Sequence, residues 1–409
     1  MDESGRATGA GAFAATWEHL AWAVLGTGAC TGCAGCVLAC PRGVLDLDQD
    51  LWEPRLAVAA QVEGDGGRCA YSARGCDLCA RACPRFGAWE DDADRAVRGR
   101  ARTAGEVLGI HRGIFLAGAT DPGIAAAGQD GGLASALLIY ALEHGVIDAA
   151  LVSGVDAGLH PRPVIARNRT EVLAAAGSRY TFSPHLLAAR EIAPREAARL
   201  GLVAVGCQAS VPAVARSRGA RRLAGRFALT IGLLCSRTFT DGLFTGLLGP
   251  TYGIPREQVT RMNIKGRLQV WTGSPWVGPP DLEVPLKECD PFDRPGCRHC
   301  PDFTAAHADI SLGGIGRHAR MTLALVRSDL GAGLLEAMAR DGWITVRDAG
   351  EDDPEAVALV TRMASRQRRR WSALAAAVAG IDPGPGRLPP AGPGPVSPPG
   401  PPGSGAGPL

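Results

Sequence analysis

The stretch CTGCAGCVLACP, residues 30–41, spaces its cysteines as C-x2-C-x2-C-x3-C-P. Soft thiolates suit iron. In this run three cysteines ligate one cluster, and the fourth reaches the other cluster of a two-cluster protein. The small residues between them, Thr31-Gly32 and Ala34-Gly35, let backbone N–H groups turn toward the sulfurs. Pro41 stops the turn, and residues 43–47 read as a short strand. Structural zinc prefers paired C-x2-C knuckles and has no use for this run.

Residues 69–84, CAYSARGCDLCARACP, repeat the ending C-x2-C-x3-C-P with a wider first gap. One 4Fe–4S cluster is therefore expected on Cys30, Cys33, Cys36 and Cys83, and the other on Cys69, Cys76, Cys79 and Cys40. Together they predict a small α+β ferredoxin-like domain over 17–90.

The wider composition sets limits. Among 409 residues, 43 Lys+Arg face 41 Asp+Glu. That balance lacks the basic excess of a nucleic-acid binder. The apolar stretch 13–28 carries Glu18 and His19 and has no basic start. It reads as neither signal peptide nor membrane span, so a cytoplasmic protein is expected. Residues 1–16 read as a flexible leader. The charged stretch 91–105, DDADRAVRGRARTAG, reads as a linker, and the Pro/Gly-rich 381–409 as a disordered tail.

Between 106 and 380 strand and helix patterns alternate. Strands are expected at 113–117, 149–152, 202–205, 228–234, 264–271, 321–326 and 343–347. Helices are expected at 133–144, 186–200, 211–218, 328–340 and 355–378. Such alternation means an α/β core with a largely parallel or mixed sheet.

Three features of that core carry chemistry. Gly131-Gly132 opens a helix, where a ligand can approach the backbone and the dipole favours anions. Cys207, Cys235, Cys297 and Cys300 come from loops that a parallel sheet gathers at its carboxyl edge. They can meet as a third cluster, or Cys207 and Cys235 can be buried small hydrophobes; the residues alone leave both open, and Cys289 stands apart. Lys265, one of two lysines in the chain, lies beside Gly266 on an expected strand. It suits either a phosphate or flavin contact or a surface position.

These pieces in this order resemble the family formed by the beta subunits of coenzyme F420 hydrogenases and dehydrogenases. The resemblance rests on GGLASALLIYALEHGVIDAALVSG at 131–154, AGSRYTFSP at 176–184, IGLLC at 231–235, NIKG at 263–266 and CRHCPDFTAAHADISLGGIG at 297–316. It covers roughly residues 30–348. The family often has two residues between Gly and Cys-Gln after the strand at 202–205, whereas this chain runs Gly206-Cys207-Gln208. The resemblance implies an F420-dependent oxidoreductase carrying FAD and a core 4Fe–4S cluster on Cys207, Cys235, Cys297 and Cys300. Ser178, Arg179, Tyr180 and Lys265 would hold FAD, with Gly131 and Gly132 admitting flavin or coenzyme. It implies a redox partner, a ferredoxin or a hydrogenase or dehydrogenase subunit. Two alternatives stand beside it: a ferredoxin-dependent reductase of a tetrapyrrole-like double bond, and an electron-transfer subunit that turns over no small molecule.

Overall fold

A computed structural model describes residues 15–48, 52–57, 68–156, 160–193, 195–196, 198–273, 278–318 and 320–378. The expected tail lies outside these residues, as does all of the expected leader but Ala15 and Thr16. Thr16 caps a helix, Trp17–Leu20, that runs on as a π-helical turn, Ala21–Leu25. Their apolar side buries Trp17, Leu20 and Val24 against Val37, Ala80 and the Cys36, Cys79 and Cys83 side chains. Strands β1 (Leu45–Leu47) and β2 (Pro54–Leu56) pair antiparallel, turning their outer leucines inward and Asp46 and Arg55 out.

The 91–105 segment is not a linker. Glu90–Arg98 is a helix that packs Ala93 and the preceding Trp89 against Ala213 and Val214. Fully buried Asp94 accepts from Arg102 Nε at 2.5 Å and Nη2 at 2.8 Å, and stands 3.2 Å from His307 Nε2. Glu90 accepts from Arg102 at 3.2 Å and from Arg368 at 3.1 Å. Asp94 and Arg102, two of the charges that suggested a connector, pair with each other in the interior, and His307 beside them is more than 200 residues away in sequence.

The core is an eight-stranded mixed sheet of order β13-β3-β12-β11-β7-β6-β4-β5. Its strands are β3 (Gly113–Ala119), β4 (Ala149–Val155), β5 (Pro161–Ala166), β6 (Leu200–Val205), β7 (Phe227–Leu233), β11 (Ile310–Gly313), β12 (Thr322–Val326) and β13 (Ile344–Asp348). β4, β6, β7 and β11 run parallel. β5 closes one edge, and β12, β3 and β13 the other, through antiparallel pairings. The central strands are buried, as sheets covered by helices require. On one face the apolar Leu133–Glu143 helix packs with Leu334, Leu335 and Met338 of the Asp329–Arg340 helix. A separate antiparallel sheet joins β8 (Arg261–Ile264), β9 (Arg267–Trp271) and β10 (Leu282–Pro285).

Two elements differ from expectation. The single strand at 264–271 is a hairpin, β8–β9, because Gly266 at φ +75° turns the chain with Lys265. The helix expected at 186–200 is a 3-10 segment, His185–Glu191, followed by extended Ile192. Pro194 lacks an N–H and disfavours helical geometry just before it. Among the described residues no helix is long and apolar enough to cross a membrane.

Candidate functional site

The parallel strands end at one edge of the sheet and deliver chemistry there. β6 runs into Gly206-Cys207, β7 into Leu234-Cys235 and β11 into Gly314. The end of β3 meets the same place, Ala119 N–H donating to Gly131 O at 2.8 Å. A cavity of ≈340 Å³ opens at this edge, within the range of small-molecule sites. Gly131 and Gly132 have φ of +76° and +70°. A Cβ on Gly131 would stand 2.3 Å from Arg320 O, and one on Gly132 2.4 Å from Ile124 O. Both glycines are thus demanded by the turn into the helix, and Gly132 borders the cavity.

Ser178, Arg179 and Tyr180 lie across the cavity. Tyr180 is anchored from both ends: its carbonyl accepts from Phe239 N–H at 2.8 Å, and its hydroxyl donates to Asn263 Oδ1 at 3.2 Å. Burial pushes the Tyr180 phenol pKa up, so it stays a neutral donor. Arg179 donates to its neighbours' carbonyls, Ser178 O at 3.3 Å and Ala176 O at 3.1 Å. Its pKa is pulled down by burial, with no countercharge to offset that. Arg179 Nε and the Ser153 and Ser183 hydroxyls are buried in the cavity wall without a hydrogen-bond partner among the described residues. That is a donor set matched to a polar, anionic ligand. Lys265 stands just outside the wall, its Nζ donating to Gly314 O at 2.5 Å and lying 3.5 Å from Asp130 Oδ1. A second cavity of ≈210 Å³ shares Arg179 and adds Arg261 and Arg256, the latter paired with Asp241 at 2.6 Å.

Electrostatic influence among the cysteines runs within the three expected sets and also between them. Cys30, Cys33, Cys36 and Cys83 act on one another electrostatically, as do Cys79 and its neighbours Cys40, Cys69 and Cys76. In the core, Cys235 feels Cys297, Cys207 and Cys300. Burial pushes up the thiol pKa of Cys207, Cys235 and Cys300, that of Cys83 to about 11 and that of Cys79 to about 12. Thiols so buried hold their protons until a metal displaces them. Among the described residues no three His, Cys, Asp or Glu side chains converge closely enough to hold a single ion. A four-iron cube instead takes four soft thiolates set apart at its corners, the donor chemistry that four cysteines offer. Cys289 lies apart in an apolar cluster with Phe239 and Leu243, burial raising its pKa to about 12.

The shortened Gly206-Cys207 turn is closely packed. A Cβ on Gly206 would stand 2.6 Å from Asp302 Oδ2, so glycine lets the Cys207 helix meet the Cys300 loop. Gln208 ties that helix to the cavity segment, donating to Ser183 O at 2.9 Å and accepting from Leu186 N–H at 3.1 Å.

Four residues that sequence reasoning missed hold the sets in place. Gln367 and Arg370 of the Pro354–Val378 helix donate to the carbonyls of Cys235, Ser236 and Cys297. Arg218 donates to Ala80 O and Cys83 O, each at 2.9 Å. Arg85 Nη2 donates to Cys300 Sγ at 2.9 Å. Only Arg85 had a sequence signal, its place directly after Cys83-Pro84.

The chain is similar to known proteins in both its cysteine-rich region and its core. Residues 114–189 and 197–352 match the models for the N-terminal and C-terminal parts of the coenzyme F420 hydrogenase/dehydrogenase beta subunit, and 29–88 a 4Fe–4S dicluster domain. The chain is 30% identical over 269 residues to the coenzyme F420 hydrogenase subunit beta of Methanothermobacter thermautotrophicus, covering 64% of this chain and 94% of that one. It is 32% identical over 255 residues to the coenzyme F420 hydrogenase subunit beta of Methanosarcina barkeri, covering 60% and 85%. A chain of the F420-reducing [NiFe] hydrogenase complex from Methanosarcina barkeri superposes with a TM-score of 0.62 at 28% identity, over 66% of this chain and 94% of that one.

Proposed function

The chain belongs to the family of coenzyme F420 hydrogenase/dehydrogenase beta subunits, and from that premise we propose that it is a cytoplasmic iron–sulfur flavoprotein exchanging electrons between coenzyme F420 and a one-electron protein partner. The partner is a ferredoxin or a hydrogenase or dehydrogenase subunit. One observation carries the reading. The cavity is walled by Cys235, and Gly296, beside Cys297, packs so closely on the first cysteine run that a Cβ there would stand 2.1 Å from Cys30 O. That supports an order running from the cavity through the core cysteines to the ferredoxin-like end.

Ser178, Arg179 and Tyr180 would hold FAD, with Gly131 and Gly132 shaping the turn beside it and Lys265 at the rim. When bound, FAD supplies the conversion between two-electron hydride exchange and single-electron transfer. Arg179, Arg256 and Arg261 offer charge-assisted contacts to phosphate or carboxylate groups. Leu133, Leu138, Val152, Val203 and Leu233 give the cavity a dry wall. Cys30, Cys33, Cys36 and Cys83 would hold one cluster, Cys40, Cys69, Cys76 and Cys79 a second, and Cys207, Cys235, Cys297 and Cys300 the third.

The test is oxidation of reduced coenzyme F420 by the anaerobically loaded protein with an artificial one-electron acceptor, followed by absorbance. Turnover is expected, and Cys36→Ser should abolish delivery to a protein acceptor while leaving F420-driven flavin reduction intact. A flavin-loaded protein that leaves reduced F420 untouched would favour the tetrapyrrole-type reductase or a subunit without small-molecule turnover.

A further inference from the structure

Arg85 is 3% exposed, a charged side chain at the junction of two cysteine sets. It follows Cys83-Pro84 directly, and its Nη2 donates to Cys300 Sγ at 2.9 Å. Its charge acts on Cys33 and Cys83 of the nearer ferredoxin-type set and on Cys207 and Cys300 of the core set. Nη1 reaches Pro84 O at 3.4 Å, and the guanidinium carbon lies 5.4 Å from the Trp89 ring centre. Nε is buried with no acceptor among the described residues.

Burying a guanidinium is expensive, and an apolar side chain of similar volume often replaces a buried ion pair without loss of stability. A role in stability alone therefore does not account for it. Two neighbouring cubanes are both anionic with their thiolates, and each electron added to one repels the other's charge. A fixed cation between them offsets that repulsion. A charge-assisted N–H···S bond also favours the more negative, reduced state of the cluster it touches, raising its potential.

Resting on the three-cluster reading above, we propose that Arg85 is the positioning residue that couples the core cluster to the nearer ferredoxin-type cluster. It raises the core cluster's potential and shields each cluster from the other's charge. In the step it assists, one electron leaves the core cluster and one arrives on the Cys30/Cys33/Cys36/Cys83 cluster. Arg85 keeps its charge and no proton moves.

The experiment is potentiometric EPR on the full chain, loaded anaerobically and poised with mediators. The core signal is identified as the one missing from Cys235→Ser. Arg85→Met should lower the core potential by at least a tenfold change in the one-electron equilibrium, about 59 mV. The outer cluster of Cys40, Cys69, Cys76 and Cys79 should keep its potential, and Arg85→Lys should fall between. An unchanged core potential, or equal shifts in all three clusters, would overturn the proposal. If Arg85→Met loads poorly, Arg85→Gln, which keeps a donor but not the charge, is judged by the same criterion. A parent protein with only two cluster signals would instead contradict the three-cluster reading, before any variant is compared.

Discussion

Arg179 offers the most direct way to ask what the cavity binds. Its guanidinium is oriented by two carbonyls of its own turn, its Nε is buried without a partner, and burial lowers its pKa with no countercharge nearby. A cation in that state gains most from an anion that arrives with the ligand. Replacing it by Gln removes the charge and keeps much of the shape. A charge-assisted hydrogen bond is worth about 1.5–3 kcal/mol, so FAD affinity should fall roughly ten- to a hundredfold. The assay is anaerobic titration of flavin-free protein, read by flavin fluorescence, with riboflavin as comparison because it has the ring but no phosphate. Riboflavin binding should be unchanged in Arg179→Gln, and Arg179→Lys should recover part of the FAD affinity. Equal FAD affinity in parent and variant, or equal losses for FAD and riboflavin, would refute a phosphate contact.

Lys265→Ala should lower FAD occupancy or shift the flavin potential with normal iron content, Lys287→Ala serving as control; no change in either would leave Lys265 as a clasp between Asp130 and Gly314. Asp94→Asn leaves Arg102 buried without its closest partner and should cost about 3 kcal/mol, seen as a melting temperature several degrees lower; unaltered melting would show the network to be dispensable. Burial alone would raise the Asp94 pKa, but hydrogen bonds from His307 and Arg102 and the charge of Arg102 hold it well below the ordinary 3.8. Its contribution is therefore present above about pH 4 and lost as the pH falls below 3.8, so parent and Asp94→Asn should converge in stability on acidification.

Much of this was legible in the sequence because it rests on local signals. The strands at β3, β4, β6 and β7 stand within two residues of their expected starts, since short apolar runs between turn residues survive any tertiary context. The dicluster region follows from the two cysteine runs, as ligands at fixed gaps leave few ways to wrap a cube. The failures have two causes, partners distant in sequence and one local glycine turn. Asp94 and Arg102 read as solvated because His307, their neighbour in the fold, is more than 200 residues distant. The 264–271 strand broke at Gly266, where permissive geometry outweighed the apolar pattern. Gln367 and Arg370, which fasten the Cys235 and Cys297 loops, carry no motif and gain meaning only when the last helix is docked.

The core cysteines are proposed to hold a third cubane between the cavity and the ferredoxin-like clusters. Iron content per chain after anaerobic reconstitution tests it most directly. Three cubanes predict about twelve iron atoms, and Cys235→Ser should bring that to about eight. Saturation of the parent near eight, with Cys235→Ser the same, would contradict the claim.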